Sequence, residues 1–215
     1  MESFNKKLAL ATSYLLHPLF MPTNGLLLAF FVGEIQGFNP YASNEDLKTA
    51  YIAITGIFIG TGIFPVIIAI VLKKLNYISN LHMPKREERM IPFLLTGGSY
   101  LGIIYLYIEV LQLNLDPKIY SFMIGATLAI IIGLWITGSW KISVHMIGIG
   151  GIVGVMVLLS KLGENVLLYP LILTIIAAGL IAFGRLFLKA HNIQQVIAGF
   201  LLGFTCEILP LIFLL

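Results

Sequence analysis

Residues 184–203 read GRLFLKAHNIQQVIAGFLLG and connect two apolar runs at 166–183 and 195–215. Both runs are close to the length of about 20 residues that a helix needs to cross the hydrocarbon core of a bilayer. The polar side chains between them are therefore expected where one membrane helix ends and another begins. That position makes this stretch the first candidate for an active site.

The composition of the whole chain is that of a membrane protein. Of its 215 residues, 59% are hydrophobic and 11% are charged, and the mean hydropathy is +0.98. A soluble domain has more charged surface than this. We expect an all-α fold, a polytopic membrane helical bundle of about six to seven transmembrane helices that forms a single domain over residues 1–215. The apolar runs lie at 8–32, 49–72, 93–112, 118–138, 142–159, 166–183 and 195–215.

The charged residues indicate which partners to expect. The formal net charge is only +3, and the basic residues lie between apolar runs rather than in a basic tail, which argues against nucleic acid as a partner. The lipid bilayer and its anionic headgroups are the expected partners. Cys206 is the only cysteine and the carboxylates are not clustered, so neither a disulfide nor a metal or other cofactor is predicted. The oligomeric state is left open.

The first apolar run is interrupted near its middle. It contains His17-Pro18 and then Met21-Pro22, and two prolines four residues apart are expected to kink or break a helix. Such a break frees backbone groups that need partners, so it is either structural or part of the wall of a site. His17 is most simply a histidine that faces the bundle or the membrane interface.

Three polar segments are predicted to lie on one side of the membrane. They follow the second, fourth and sixth apolar runs, so an even number of crossings separates them. In chain order the segments carry Lys85 with Arg89, Ser143 with His145, and Arg185 with His191. We expect the three to converge into one cationic site. The alternative for each segment alone is a set of basic anchors that face lipid headgroups.

Residue spacing further constrains these segments. His191 and Gln195 are four residues apart, so on a helix they share a face and the glutamine can orient the imidazole. Arg185 precedes His191 by six residues, and a bend between them would bring the two side chains together. Ser143 is expected to cap the helix that follows it and to leave backbone N–H groups open to an anion. A cation beside an oriented, neutral imidazole suits attack by histidine on phosphorus.

The last of these segments resembles a motif of the type 2 phosphatidic acid phosphatase family, S-R-x5-H-x3-D. Here the motif reads Gly184-Arg185, five residues, His191, three residues and Gln195. Glutamine stands where that family has aspartate, a replacement also found in the similar enzyme glucose-6-phosphatase.

The family's other two motifs, K-x6-R-P and P-S-G-H, are matched more loosely and in the same order. Ser143-Val144-His145 resembles the second, with Ile142 in place of proline, and Lys85, Arg89 and Pro92 resemble the first with a shorter spacing. The resemblance covers residues 85–203 and is specific in the third motif.

The resemblance implies an activity and a role for each matching residue. His191 would be the nucleophile that forms a phosphohistidine intermediate, Gln195 would orient its ring, and His145 would protonate the leaving oxygen. The substrate-binding residues would be Lys85, Arg89, Ser143 and Arg185. The implied protein is a metal-independent phosphatase for membrane lipid phosphates or diphosphates.

Two other functions fit the sequence. A non-enzymatic channel or transporter would account for the broken first run and for Glu207, an ionisable residue inside the last apolar run. A catalytically impaired relative that only binds lipid phosphate would account for the departures from the motifs. The expected location is a bacterial inner membrane. With the proposed phosphate ligands set aside, basic residues are in slight excess on the side of the membrane that carries the three polar segments, which favours a cytoplasmic site. Bacterial members of the family nevertheless commonly have their site on the outer side.

Overall fold

The computed structural model describes residues 2–33, 44–81, 83, 85, 87–113, 115–162 and 168–214. In these ranges the chain is helical and forms no strand, which confirms the predicted all-α bundle. The helices are α1 (Glu2–Leu15), α2 (Met21–Gly33), α3 (Asn44–Ile57), α4 (Phe64–Lys74), α5 (Met90–Tyr105), α6 (Pro117–Ser139), α7 (Val144–Leu162), α8 (Leu168–Phe187) and α9 (Ile193–Leu214). A π-helical segment, Phe58–Ile63, joins α3 to α4, and another, Leu106–Val110, extends α5.

Within the described residues, six helical stretches are long and apolar enough to cross a membrane. They are Lys48–Lys74, Glu87–Val110, Pro117–Ser139, Val144–Lys161, Leu168–Phe187 and Ile193–Phe213. Their number lies in the predicted range, and the protein is an integral membrane protein with its surface embedded in lipid. Successive spans alternate in direction, so the connections that begin after Lys74, Ser139 and Phe187 start at the same end of the bundle.

The first apolar run breaks where its two prolines predict a break. The α1 helix ends at Leu15, and Pro18 opens a single 3-10 turn that leads into α2 at Met21. His17 stabilises this turn, because its Nδ1 accepts a hydrogen bond of 3.4 Å from the backbone N–H of Leu19. The run at 8–32 is therefore two helices of 14 and 13 residues, each too short to cross a bilayer alone.

The α7 helix is central, and its packing against α9 depends on glycine. A Cβ atom placed on Gly199 would lie 2.6 Å from the Ser143 carbonyl oxygen, and one on Gly154 would lie 2.9 Å from the Phe204 carbonyl oxygen. These separations leave no room for a side chain, so glycine is what allows the two backbones to approach. This interface holds the start of α7 beside the start of α9, where the polar connections meet.

Replacing Gly199 with alanine is expected to lower the free energy of unfolding by about 1–3 kcal/mol, because the added methyl group must displace backbone. Gly179 is the matched control, since a Cβ there would meet nothing within 4 Å. Thermal unfolding of both variants in the same detergent would compare them. A Gly199→Ala protein as stable as Gly179→Ala would contradict this close approach of α7 and α9.

Candidate active site

A cavity of about 550 Å³ lies at the end of the bundle where the three polar connections meet. Its ionisable lining residues lie in or next to these connections and at the break after α1. They are His17, Arg89, Lys141, His145, Arg185 and His191. Apolar side chains of α4 and α5, including Val66 and Phe93, complete the wall. The cavity therefore combines a cationic face with an apolar one at the membrane surface.

The chain bends between Arg185 and His191. From their spacing in the sequence, such a bend is required for the two side chains to meet. After α8 ends at Phe187, Lys189 adopts a left-handed conformation with φ of 52°. The backbone N–H groups of Ala190 and His191 then donate to the Arg185 carbonyl oxygen at 3.0 and 3.3 Å. This turn closes the C-terminal end of α8 and sets both side chains on the same cavity.

A reciprocal cap at the start of α9 fixes Gln195. The Gln195 N–H donates to Asn192 Oδ1 at 3.0 Å, and the Asn192 N–H donates to Gln195 Oε1 at 3.2 Å, which is the pattern of a capping box. The same Oε1 also accepts a hydrogen bond from His191 Nδ1 at 3.1 Å. The Gln195 side chain therefore both caps α9 and orients the imidazole. An amide oxygen only accepts, so Nδ1 carries the hydrogen and the lone pair is on Nε2.

The surroundings of His191 keep its ring uncharged. Burial lowers the pKa of His191 to about 4 from its ordinary value of 6.5. The hydrogen bond with Gln195 opposes this shift, whereas the neighbouring cations Lys141, Arg89 and Arg185 add to it. At neutral pH the imidazole is therefore in its nucleophilic form.

Three cations share the cavity, and none of its described lining residues is acidic. Arg89 Nε donates to the Met83 carbonyl oxygen at 3.0 Å, which ties the first connection to the start of the α5 span. Burial lowers the pKa of Lys141, and the charge of Arg89 lowers it further. The buried Nε of Arg185 has no hydrogen-bond partner among the described residues. Like charges held this close are unfavourable, so an anion is the natural occupant.

The second histidine is held by α1. His145 Nε2 lies 3.2 Å from the Ser13 carbonyl oxygen, so Nε2 carries a hydrogen and the other ring nitrogen, Nδ1, is available for a proton. The Ser13 hydroxyl accepts a hydrogen bond from Arg185 Nη2. The ring of His17 stands edge-on to that of His145, with 5.6 Å between the centroids. The end of α1 therefore positions two of the predicted site residues.

Three predicted site residues do not line the cavity, and one of these, Gln195, acts on it only through its hydrogen bond with His191. Lys85 is exposed and lies outside the lining, whereas Lys141 lines it. Ser143 is fully buried, and its hydroxyl has no hydrogen-bond partner among the described residues, so the predicted side-chain cap of α7 is wrong. The cause is the close approach of Gly199, which draws Ser143 into the interface of α7 with α9. Its backbone N–H donates instead to the Gln195 carbonyl oxygen at 3.4 Å.

Ser13 and Lys141 are the residues that the sequence did not single out. The proline break marked the region of His17 as a possible wall, and N-x-x-Q at 192–195 is a readable capping signature, but no local pattern marks Ser13. Among the described residues, no three His, Cys, Asp or Glu side chains are grouped as metal ligands.

Comparisons of the chain with models of protein families, with curated proteins and with solved structures find no match. The chemistry of the cavity is therefore the basis on which a function is proposed.

Proposed function

We propose that this protein is a membrane-bound phosphatase that hydrolyses lipid phosphate or diphosphate esters, as a divergent relative of the type 2 phosphatidic acid phosphatases. The observation that carries the proposal is the state of His191, whose neutral ring is oriented by Gln195 on the wall of a cavity lined by three cations. An oriented imidazole beside unpaired positive charge is suited to attack on a phosphoryl group.

The cations account for binding of the phosphate. Arg185 and Arg89 present planar guanidinium groups that match phosphate oxygens, and Lys141 adds a third charge. Arg185 gives up one hydrogen bond, to the Ser13 hydroxyl, when it turns toward the phosphate, while its unpartnered Nε gains an acceptor. Lys85 and Ser143 do not line the cavity, so no contact with the phosphate is proposed for them.

In the first chemical step, His191 Nε2 forms a bond to phosphorus as the bond from phosphorus to the ester oxygen breaks. The leaving oxygen takes a proton from His145 Nδ1, which receives that proton from the singly protonated phosphate ester while Nε2 donates to the Ser13 carbonyl oxygen. The phosphohistidine retains the phosphate charge, which the three cations stabilise. The Gln195 carbonyl oxygen holds the Nδ1–H of the phosphorylated ring.

In the second step, water attacks phosphorus and the bond to His191 Nε2 breaks. His145 Nδ1 accepts the proton of the attacking water and passes it to the phosphate product, which returns both histidines to their neutral starting forms. Inorganic phosphate leaves from the cationic cavity. Both steps use side chains of this protein and one water molecule.

The position of the cavity favours a lipid as the substrate. Phosphate would lie at headgroup level among the cations, and the apolar wall formed by Val66 and Phe93 would contact the part of the ester nearest the hydrocarbon. For location, the composition fits a bacterial inner membrane, and the slight excess of basic residues on this side favours a cytoplasmic cavity.

The direct test is phosphate release from a panel of lipid phosphates and diphosphates by the purified protein, with and without a chelator. Release that survives chelation is expected. No release from any substrate, with solute flux through proteoliposomes instead, would favour the transporter that Glu207 and the broken first run allow. Binding of phosphate without turnover would identify a catalytically impaired relative.

Activity is expected to extend to acidic pH. Since the pKa of His191 is lowered to about 4, its ring stays neutral as the pH falls from 6.5 toward 4, and kcat/KM should decline only near the lower value. Gln195→Asp places an anion beside Nδ1, which stabilises the imidazolium and raises its pKa. The acid limb of the pH profile should then move to higher pH, and a limb that does not move would contradict the pairing of these two side chains.

A further inference from the structure

A second, smaller cavity of about 100 Å³ adjoins the cationic one and lies deeper in the bundle. Five residues line both cavities: Pro18, Leu19, Phe93, Thr96 and Val144. The common wall consists of the break after α1 and the first turns of α5 and α7. A molecule whose polar end occupies the cationic cavity therefore has the smaller cavity directly beyond it.

Most of the wall of the deeper cavity is apolar. Phe122, Ala126 and Ile130 of α6 face Ile147 and Ile152 of α7 across it. Apolar cavities of this kind stay dry and bind hydrocarbon, and one of about 150 Å³ takes a single benzene molecule. A space of about 100 Å³ is smaller than that, so it has room for a short segment of one hydrocarbon chain, fewer than about six carbons, and not for two chains side by side.

Glu207 forms the polar inner part of this wall. It is 4% exposed, and its Oε2 has no hydrogen-bond partner among the described residues. Glycines accommodate the carboxyl: a Cβ on Gly125 would lie 2.5 Å from Oε2, and one on Gly151 would lie 2.9 Å from Cγ. Gly151 follows Val144 by seven residues, which is about 10 Å along a helix. An unpaired oxygen at that depth disfavours a saturated chain beyond it.

We propose that the deeper cavity is a slot for the part of the apolar chain nearest the phosphate ester, that it admits one chain, and that Glu207 marks its inner limit. The preferred substrates are then phosphates or diphosphates of single-chain alcohols rather than two-chain glycerolipids. This inference rests on the proposed function for its phosphate end. The occupant follows from the common wall, since the chain attached to a bound phosphate is the hydrocarbon nearest to the slot.

Photo-crosslinking tests the slot without requiring turnover. The probe is a single-chain alkylphosphonate, which is not hydrolysed, with a diazirine on its chain, bound to the protein in nanodiscs and located by peptide mass spectrometry. Label is expected on Ile130 and Ile147, both in the wall of the slot. A single-chain phosphate should compete at least tenfold better than a two-chain phosphatidate. Label confined to lipid-facing residues such as Leu128 and Ile131, or equal competition by both lipids, would overturn the proposal.

Neighbouring residues of α6 provide matched variants. Ile130→Phe fills the slot and should abolish labelling of Ile147, whereas Ile131→Phe adds the same ring on the exposed side and should leave labelling unchanged. Glu207→Leu removes the unpaired oxygen and should strengthen binding of a saturated chain several-fold. If Ile130→Phe does not fold, the labelling pattern of the unsubstituted protein decides the question.

Two further ligands separate this inference from the proposed function. Methylphosphonate has the polar end alone, and a diazirine-bearing decanol has the chain alone. Decanol that labels the slot, in a protein that neither releases phosphate nor binds methylphosphonate, would support the slot and contradict the phosphatase. Phosphate release with label outside the slot would support the phosphatase and contradict the slot.

Discussion

His191→Ala is expected to reduce phosphate release from any lipid phosphate by at least about a thousandfold, because the substitution removes the atom that we propose bonds to phosphorus. The rest of the site should persist. The cap of α9 depends on Asn192 and Gln195, and the three cations are held by other elements. The loss should therefore appear in kcat with little change in thermal stability. Phosphate release under substrate saturation measures kcat, and thermal unfolding of the same variant measures stability.

Gln194→Ala provides the control for this substitution, because Gln194 is exposed on the same turn and does not line the cavity. A second measurement identifies the bonded atom. Rapid quenching with labelled substrate should trap phosphate on the protein through a bond that survives base and is lost in acid, as a phosphoramidate is. Full activity in His191→Ala, or a trapped phosphate located on another residue, would remove the proposed nucleophile.

The architecture could be predicted from the sequence, because the positions of membrane helices depend mainly on where long apolar runs occur. Apolar runs of sufficient length predicted all six spans, with ends that differ by a few residues, and the alternation of their directions placed the three polar connections at one end. The prolines at 18 and 22 also predicted the break correctly. Whether this run adds a transmembrane span could not be predicted. A run of 25 residues with a kink and a run divided into two short helices have the same composition.

The site could be predicted only in part, because some of its contacts are local in the sequence and others depend on long-range packing. The pair His191 and Gln195 is local, so helical spacing alone predicts its hydrogen bond. Ser13 meets Arg185 across 172 residues of sequence, and only packing of α1 on α8 brings them together. For Ser143, packing removes a predicted role. It directly precedes α7, as a helix cap does, but it is buried against Gly199, which is more than 50 residues away in the sequence. Long-range packing, rather than residue type, decided which polar groups reach the cavity.

Arg185→Leu is expected to affect activity and stability in opposite directions. In the proposed mechanism the arginine contributes a charged fork to the phosphate, and its loss should lower kcat by about 10²–10³-fold, in the range measured when one donor to a developing charge is removed. In the protein without phosphate, the same side chain is one of three cations around the cavity and has a buried Nε without a partner among the described residues. Leucine keeps the apolar packing and removes that charge, so the thermal midpoint should stay the same or rise.

Inorganic phosphate distinguishes this explanation from a general effect of removing a charge. It should raise the thermal midpoint of the unsubstituted protein, because a ligand that binds only the folded state stabilises it, and should do so far less in Arg185→Leu. Lys161→Leu makes the same change of charge at the opposite end of the bundle and should retain both activity and stabilisation by phosphate. Arg185→Lys keeps the charge without the planar fork, so its activity should fall between the two. If Arg185→Leu were destabilised and still stabilised by phosphate as strongly as the unsubstituted protein, Arg185 would be a packing residue of α8 and the phosphate would bind elsewhere.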